Sequence, residues 1–415
     1  MPNRIRRRSL LGAGMGALTA TAASGQTSSA PTAACWARPL AQDYTEVFHH
    51  PAGGRGLDGP GLARMPDGIL VAVVPVRPDG GAWTCHILRS TDRGRIWRRV
   101  SQLPYTSAMP WEHRGALYLF AHPEGTPPYR EDDLMLLRSD DVGSTWSNPA
   151  TLFEGHFWNC QTGTAILDNR IYWAVDDYVA TEKRGPRLVA ADLSADLMNP
   201  ESWRISNHVP FPGLPESLAN PGIKGSYPSQ RMLEPNVLNV GGRLRVLAAV
   251  KTPLQATTNL AAVFDATDDG RAIDLSFTQF HPMPGGQVKF CILWDEISGM
   301  FWATVNLAAD GQDRLQLRDP EERRSGGHYN GAFGGNDRRF LMLMYGIDGL
   351  NWFPAGCIAR AEKVSQSFIY PSHVIDGEDL IVIARSSVRA PNRHDADYAT
   401  FHRVRGFRSL AMNLR

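Results

Sequence analysis

Apolar residues come in short runs along this chain, and the runs are cut by glycine and Asp-Gly turns. Across residues 60–74, Gly61-Leu62-Ala63-Arg64-Met65 precedes the turn Pro66-Asp67-Gly68, and Ile69–Val74 follows it. Two such runs around a tight turn predict a β-hairpin. The same plan recurs over residues 107–120 around Arg114-Gly115, 162–175 around Asp168-Asn169 and 233–250 around Gly241-Gly242. It appears again over 288–306 around Ser298-Gly299 and 367–385 around Asp376-Gly377. No stretch settles into the 3.6-residue spacing of an amphipathic helix. The pattern therefore predicts an all-β chain.

Between hairpins, one short pattern repeats. Residues 90–97 read Ser-Thr-Asp-Arg-Gly-Arg-Ile-Trp, and residues 139–146 read Ser-Asp-Asp-Val-Gly-Ser-Thr-Trp. Both fit Ser-x-Asp-x-Gly-x-x-Trp, with Asp92 and Asp141 49 residues apart. The aspartate accepts N–H bonds from a turn, the glycine supplies a positive φ, and the tryptophan resumes the strand and buries a large ring. Asp348-Gly349-Leu350-Asn351-Trp352 is a further copy, and Asp196…Trp203 and Asp268-Asp269-Gly270 are eroded ones. Four-stranded propeller blades run to about 40–50 residues, and counting gives about six units. A six-bladed β-propeller with four-stranded antiparallel blades follows. Its ring must close, so the strand near Tyr44–His49 is expected to pair with Tyr398–Val404. Residues 205–230 and 308–335 read as long inserts, and long loops in compact domains are often functional.

The first 40 residues stand apart. Arg6-Arg7-Arg8-Ser9-Leu10-Leu11 leads into a small, apolar stretch and the Ala20-Thr21-Ala22 site, which predicts an export signal over 1–23. The paired arginines give it a twin-arginine character. Residues 24–40 read as a flexible leader, and 41–415 as one propeller domain. A periplasmic or secreted location is expected. Cys35 follows Ala33-Ala34 as in a lipid-attachment site, but it lies far from the apolar run.

Net charge is +1, with acidic and basic residues dispersed, so no nucleic-acid face is expected. No later apolar run approaches a membrane span. The five cysteines are widely spaced and show no metal-ligand pattern. No cofactor and no metal are expected, and a monomer is. Eleven Trp and 39 Gly suit a turn-rich protein that handles sugars.

The repeated motif resembles the Asp-box of the sialidase superfamily of six-bladed propellers. In that family the box is a structural element on the outer rim, and chemistry sits in a funnel around the axis. The resemblance implies an exo-acting glycoside hydrolase with a Tyr nucleophile, a partner Glu, an Asp acid/base and three arginines that grip a carboxylate. Position by position, Tyr370 in Ile369-Tyr370-Pro371-Ser372, ahead of the Asp376-Gly377 turn, matches the nucleophile. Glu234, which opens a strand–Gly-turn–strand unit, matches the partner Glu. Asp79 in a Gly-rich loop matches the acid/base, though an ordinary turn explains it equally well. Glu112, Asp176 and Asp177 stand on comparable strand ends.

The arginines are where the chain departs from the pattern. The first place is held by Asp58, the second by Lys251, and the third by Arg338 or Arg339. Lysine does not reproduce the paired bonds of arginine to a carboxylate, and an aspartate in the clamp repels one. A carbohydrate substrate other than a sialic acid is therefore expected. Lys289, in the run Pro284–Phe290, is a further substrate-binding candidate. The C-terminal cluster Arg393-His394-Asp395 offers a base–orienter pair or a sugar-binding rim. Alternatives on the same scaffold are a polysaccharide lyase, a glycosidase using His394, or a glycan-binding propeller without catalysis.

Overall fold

A computed structural model describes residues 38–50, 56–78, 81–125, 132–158, 161–178, 184–215, 231–251, 259–307, 338–363, 365–390 and 393–412. The chain divides into two units, Met1–Arg38 and Pro39–Arg415, and the second holds all the described strands.

Six antiparallel sheets follow one another along the chain. We number them as blades 1 to 6. Their inner strands are Gly61–Arg64, Ser107–His113, the split pair Phe157–Trp158 and Ala165–Leu167, Arg231–Val240, Cys291–Asp295 and Ser367–Asp376. The inner strand of blade 1 packs on those of blades 2 and 6, which closes the ring. No α-helix occurs among the described residues; two short 3-10 turns, Pro200–Ser202 and Phe407–Leu410, complete the elements. The architecture is thus the six-bladed propeller that the hairpin pattern predicts.

Blades adhere through the apolar faces of their strands. Trp173 of blade 3 is fully buried and stacks on Phe120 of blade 2, with ring centroids 4.5 Å apart and planes 3° from parallel. Such a pair adds about 0.5–1.5 kcal/mol to the burial of its area.

The repeated motif has the predicted geometry in both full copies. Asp92 Oδ1 accepts from the Arg95 and Ile96 amides (3.1 and 2.9 Å) and from Ser90 Oγ (2.8 Å), while the Gly94 amide donates to Ser90 Oγ (2.9 Å). Asp141 repeats this with Ser144, Thr145 and Ser139. The amide and hydroxyl of Thr145 hold its carboxyl down at about 2. Gly94 has φ +88°, and a Cβ there would lie 2.3 Å from Phe401 of the closing strand. Only glycine meets both demands.

The N-terminal segment sews three blades together. The Leu40 and Ala41 amides donate to Cys357 O and Ile358 O on blade 5 (2.7 and 2.9 Å). Thr45–His49 then pairs with Tyr398–Val404 and completes blade 6 as predicted, with Thr45 opposite Phe401. Leu57 bridges Val76 of blade 1 and Ala396. A buried polar chain locks the seam. His402 Nδ1 donates to Ala41 O (2.8 Å), so its Nε2 must accept from the Thr400 hydroxyl (2.9 Å), which in turn accepts from Ser386 (2.7 Å). That tautomer requires a neutral ring.

Burial makes this neutrality costly to lose. It holds His402 and His86 down at about 4, and His122 at about 3. Each of these rings takes up a proton on unfolding near its ordinary value of about 6.5. Their contribution is therefore complete above pH 6.5 and declines as pH falls toward the folded values. The slope is at most about 1.4 kcal/mol per pH unit for each ring. Urea midpoints measured at pH 7.5, 5.5 and 4.5 should fall steadily; a flat midpoint from 6.5 to 4.5 would contradict this reading of the three histidines.

Because strands alternate direction, each blade sends its two kinds of turn to opposite faces. The hairpin turns between first and second strands share a face with the repeated motifs. The second strand of each blade ends and the third begins on the other face, as at Val76 and Thr84 in blade 1 and at Ser387 and Tyr398 in blade 6.

Candidate active site

Tyr370 and Glu234 occupy the same place in blades 6 and 4. Each lies near the start of an inner strand, at the end where Ser387 and Tyr398 lie in blade 6. Each precedes a proline, and each has a left-handed backbone, with φ of +51° for Tyr370 and +59° for Glu234. Strand register slips at both sites, between Ile369 and Ser372 and between Leu233 and Asn236. A bulge of this kind re-aims a side chain. Bulky residues rarely hold a left-handed backbone, and such strain clusters at functional sites. Gln161 at the start of blade 3, buried like Glu234, also has positive φ, +37°.

Charge surrounds the Tyr370 ring. The guanidinium of Arg385 lies 5.2 Å from the ring centroid and that of Arg338 5.9 Å. Both arginines are buried. Arg385 Nη1 donates to Asp58 (3.0 Å) and Nη2 to the His394 carbonyl (2.6 Å). Asp58 Oδ1 also accepts from the Gly59 amide (2.8 Å). Gly59 is pressed against the tyrosine: a Cβ there would lie 3.4 Å from Tyr370 and 3.0 Å from Gln161 Oε1. His394 Nδ1 faces Asp395 (3.3 Å). Burial first, then Arg385 and Arg338, push the His394 imidazole down to about 3, against the pull of Asp395.

Glu234 sits on a second ion-pair cluster. Its amide donates to Asp176 Oδ2 (2.8 Å), and Arg184 Nε donates to the same oxygen (3.1 Å). Arg184 also bonds Tyr178 (2.6 Å) and lies over the Trp158 and Tyr178 rings at 5.0 and 4.7 Å. Burial pushes the Asp176 carboxyl upward, against the pull of Arg184. Glu234 is buried, and its Oε2 has no hydrogen-bond partner among the described residues.

The structure thus gathers Tyr370, Asp58, Arg338, His394 and Asp395 at one end of the axis, with Glu234 at the matching place in blade 4. Several other sequence candidates do different work. Asp58 is not an uncompensated negative charge in a carboxylate clamp, because Arg385 neutralises it. Lys289 is buried, and its Nζ donates to Gln161 O (3.0 Å) and Pro371 O, so it is a strut joining blades 5, 3 and 6. Arg339 lies over the ring of Phe340 at 5.3 Å. Asp177 pairs with Arg187 at 2.5 Å. Glu112 accepts from the Gly115 amide (2.7 Å) in the hairpin turn, at the opposite end of its strand. Asp79 and the side chain of Lys251 lie outside the described residues. Arg385 and Arg184 were missed, since their partnerships depend on the folded ring rather than on any local motif.

No protein-family profile matches the chain, and no curated protein matches it. Solved structures do. The α-L-arabinanase of Penicillium chrysogenum, complexed with arabinobiose, aligns with a TM-score of 0.52 at 13% identity, over 88% of this chain and 99% of the other. The Hadza microbial sialidase Hz136 aligns with a TM-score of 0.57 at 15% identity, over 87% of this chain and 68% of the other. The chain has the sialidase-type propeller fold. Trypanosoma rangeli sialidase in complex with sialic acid agrees, with a TM-score of 0.57 at 14% identity, over 89% of this chain and 59% of that longer one. At these identities the likeness is one of fold, and function rests on the site itself.

Proposed function

We propose that this protein is an exported, exo-acting glycoside hydrolase that removes a terminal sugar from a glycan at the funnel end of the propeller. The observation that carries the proposal is the placement of Tyr370 and Glu234 on equivalent strained bulges of blades 6 and 4, with Arg338 and Arg385 against the tyrosine. In this reading Tyr370 Oη attacks the anomeric carbon and the glycosidic C–O bond breaks. Glu234 takes the phenol proton, Asp79 protonates the leaving oxygen, and water then releases the sugar. The two guanidinium groups stabilise negative charge developing on the phenol oxygen.

The substrate is a neutral sugar or an acid held differently from a sialic acid. Asp58 occupies one arm of Arg385, so that arginine is not free to grip a carboxylate with both. The arabinanase, a neighbour in fold crystallised with a neutral disaccharide, is consistent with this choice. A mechanism with His394 as base is disfavoured. A group held near 3 is a weak base at neutral pH.

A panel of aryl glycosides, including arabinofuranosides and sialosides, tests the proposal beside uronic-acid polysaccharides. Release of the aryl group without an unsaturated ultraviolet-absorbing product supports hydrolysis. An unsaturated product would establish a lyase instead, and affinity without turnover a glycan-binding propeller. Release of monomers alone from an oligosaccharide identifies exo action. Arg7→Lys with Arg8→Lys should leave the protein in the cytoplasm if the leader is of twin-arginine type.

A further inference from the structure

Where the closing strand of blade 6 meets the repeated motif of blade 1, the surface opens into a pocket of about 500 Å³. It lies at the hairpin-turn end of blade 6, where Asp379 follows the Asp376-Gly377 turn, away from the funnel. Four arginines line it: Arg93 and Arg95 from the motif, Arg403 from the closing strand and Arg405 just beyond its end. Asp43 and Asp379 are the acidic residues of its wall, so the four guanidiniums exceed the two carboxylates by two charges. We propose that this pocket binds the phosphate group of a small phosphomonoester. Nothing in it depends on the chemistry proposed for the funnel.

Two of the arginines are already engaged. Arg403 Nη1 donates to Asp376 and Asp379 (2.7 and 2.9 Å), and its Nη2 donates to Arg93 O (2.9 Å). Arg93 Nη2 reaches Asp379 Oδ2 at 3.3 Å. Behind them, Arg64 Nε donates to Asp376 Oδ1 (2.7 Å). Arg64 and Asp376 add one charge of each sign, so the positive surplus stands. It resides on Arg95 and Arg405. Both are exposed, and neither guanidinium has a hydrogen-bond or ion-pair partner among the described residues. Their backbones are held all the same. The Arg95 amide donates to Asp92 Oδ1 (3.1 Å), and the amide of Gly406, next to Arg405, donates to Asp379 Oδ1 (3.2 Å).

The chemistry of the wall selects the ligand. A carboxylate presents two oxygens in one plane, and a single guanidinium fork satisfies it. A phosphate monoester presents three acceptor oxygens in different directions and carries about −1.5 to −2 charges at pH 7. That charge matches the surplus, and the spread of oxygens suits arginines arriving from two elements. Arginine binds phosphate with paired N–H···O bonds. Thr45, on the same wall, adds a hydroxyl. The volume falls in the range of small-molecule sites and exceeds what a bare anion fills, which leaves room for the group that carries the phosphate.

Isothermal titration calorimetry of the folded protein at low salt, with glucose 6-phosphate and separately with inorganic phosphate, tests the proposal. Glucose 6-phosphate should bind at a single site with a Kd below about 1 mM. Arg95→Gln and Arg405→Gln should each weaken it by about ten-fold, the loss expected for one charge-assisted hydrogen bond. Both side chains are exposed and without partners among the described residues, so the ligand-free variants should melt with the wild type. Tighter binding of the ester than of inorganic phosphate would show that the carrier group is also held; equal affinity would show that the phosphate alone is recognised. Binding that the double variant retains would place the anion elsewhere, such as at the funnel arginines, and would overturn the proposal. So would the absence of saturable binding of either probe up to about 10 mM.

Discussion

Tyr370→Phe should lower turnover of the best aryl glycoside by at least about a thousand-fold, since losing a covalent nucleophile removes the step it carries. The substitution deletes one oxygen and keeps the ring that Arg338 and Arg385 flank. Its left-handed backbone before Pro371 is unchanged, so the melting temperature should hold. Glu234→Gln should cost about 10²–10⁴-fold, the range for a proton-transfer group. Glu234 is 2% exposed, and glutamine keeps its shape, so the variant should remain folded and the loss should appear in turnover. Kinetics and thermal melting on the same preparations separate these effects. A Tyr370→Phe enzyme retaining a tenth of wild-type kcat would rule out the tyrosine as nucleophile.

A chain starting at residue 51 should fail to give a stable propeller, whereas one starting at residue 39 should match the full chain. The missing segment removes three attachments together. Blade 5 loses the amides of Leu40 and Ala41, blade 6 loses its outer strand, and His402 loses its acceptor, Ala41 O. Tyr398–Val404 would then be an open sheet edge, a template for aggregation. The buried imidazole would also keep an unpaired N–H, worth about 1–3 kcal/mol by itself. Soluble yield and thermal unfolding of the two truncations provide the check. A residue-51 chain melting within a few degrees of the longer one would show that the seam is dispensable.

The fold was legible because its signals are local. A Ser-x-Asp-x-Gly-x-x-Trp motif satisfies its own amides within eight residues, as Asp92 and Asp141 do, and its spacing sets the blade. Ring closure was legible because a propeller has no other use for a lone N-terminal strand. Tyr370 and Glu234 were picked out by their resemblance to a family pattern, and both fall where an inner strand slips register with a left-handed backbone. Charged residues were less legible. Asp58 looked like a repulsive charge because its partner, Arg385, is 327 residues away. Lys289 looked like a substrate ligand, but two backbone carbonyls from other blades hold it. An ion pair or strut between blades leaves no spacing in the sequence to read.

The seam between Thr45–His49 and Tyr398–Val404 also sets an order of events. Thr45 leaves the ribosome 356 residues before its partner Phe401. At ordinary synthesis rates of about 5–20 residues per second, the first strand waits roughly 20–70 s for the last. During that time five blades can assemble, but the sixth cannot be completed. A leader at the N-terminus that drew the chain across a membrane while it was being made would separate the two halves of the seam. Only a route that waits for the finished chain delivers the ring already shut.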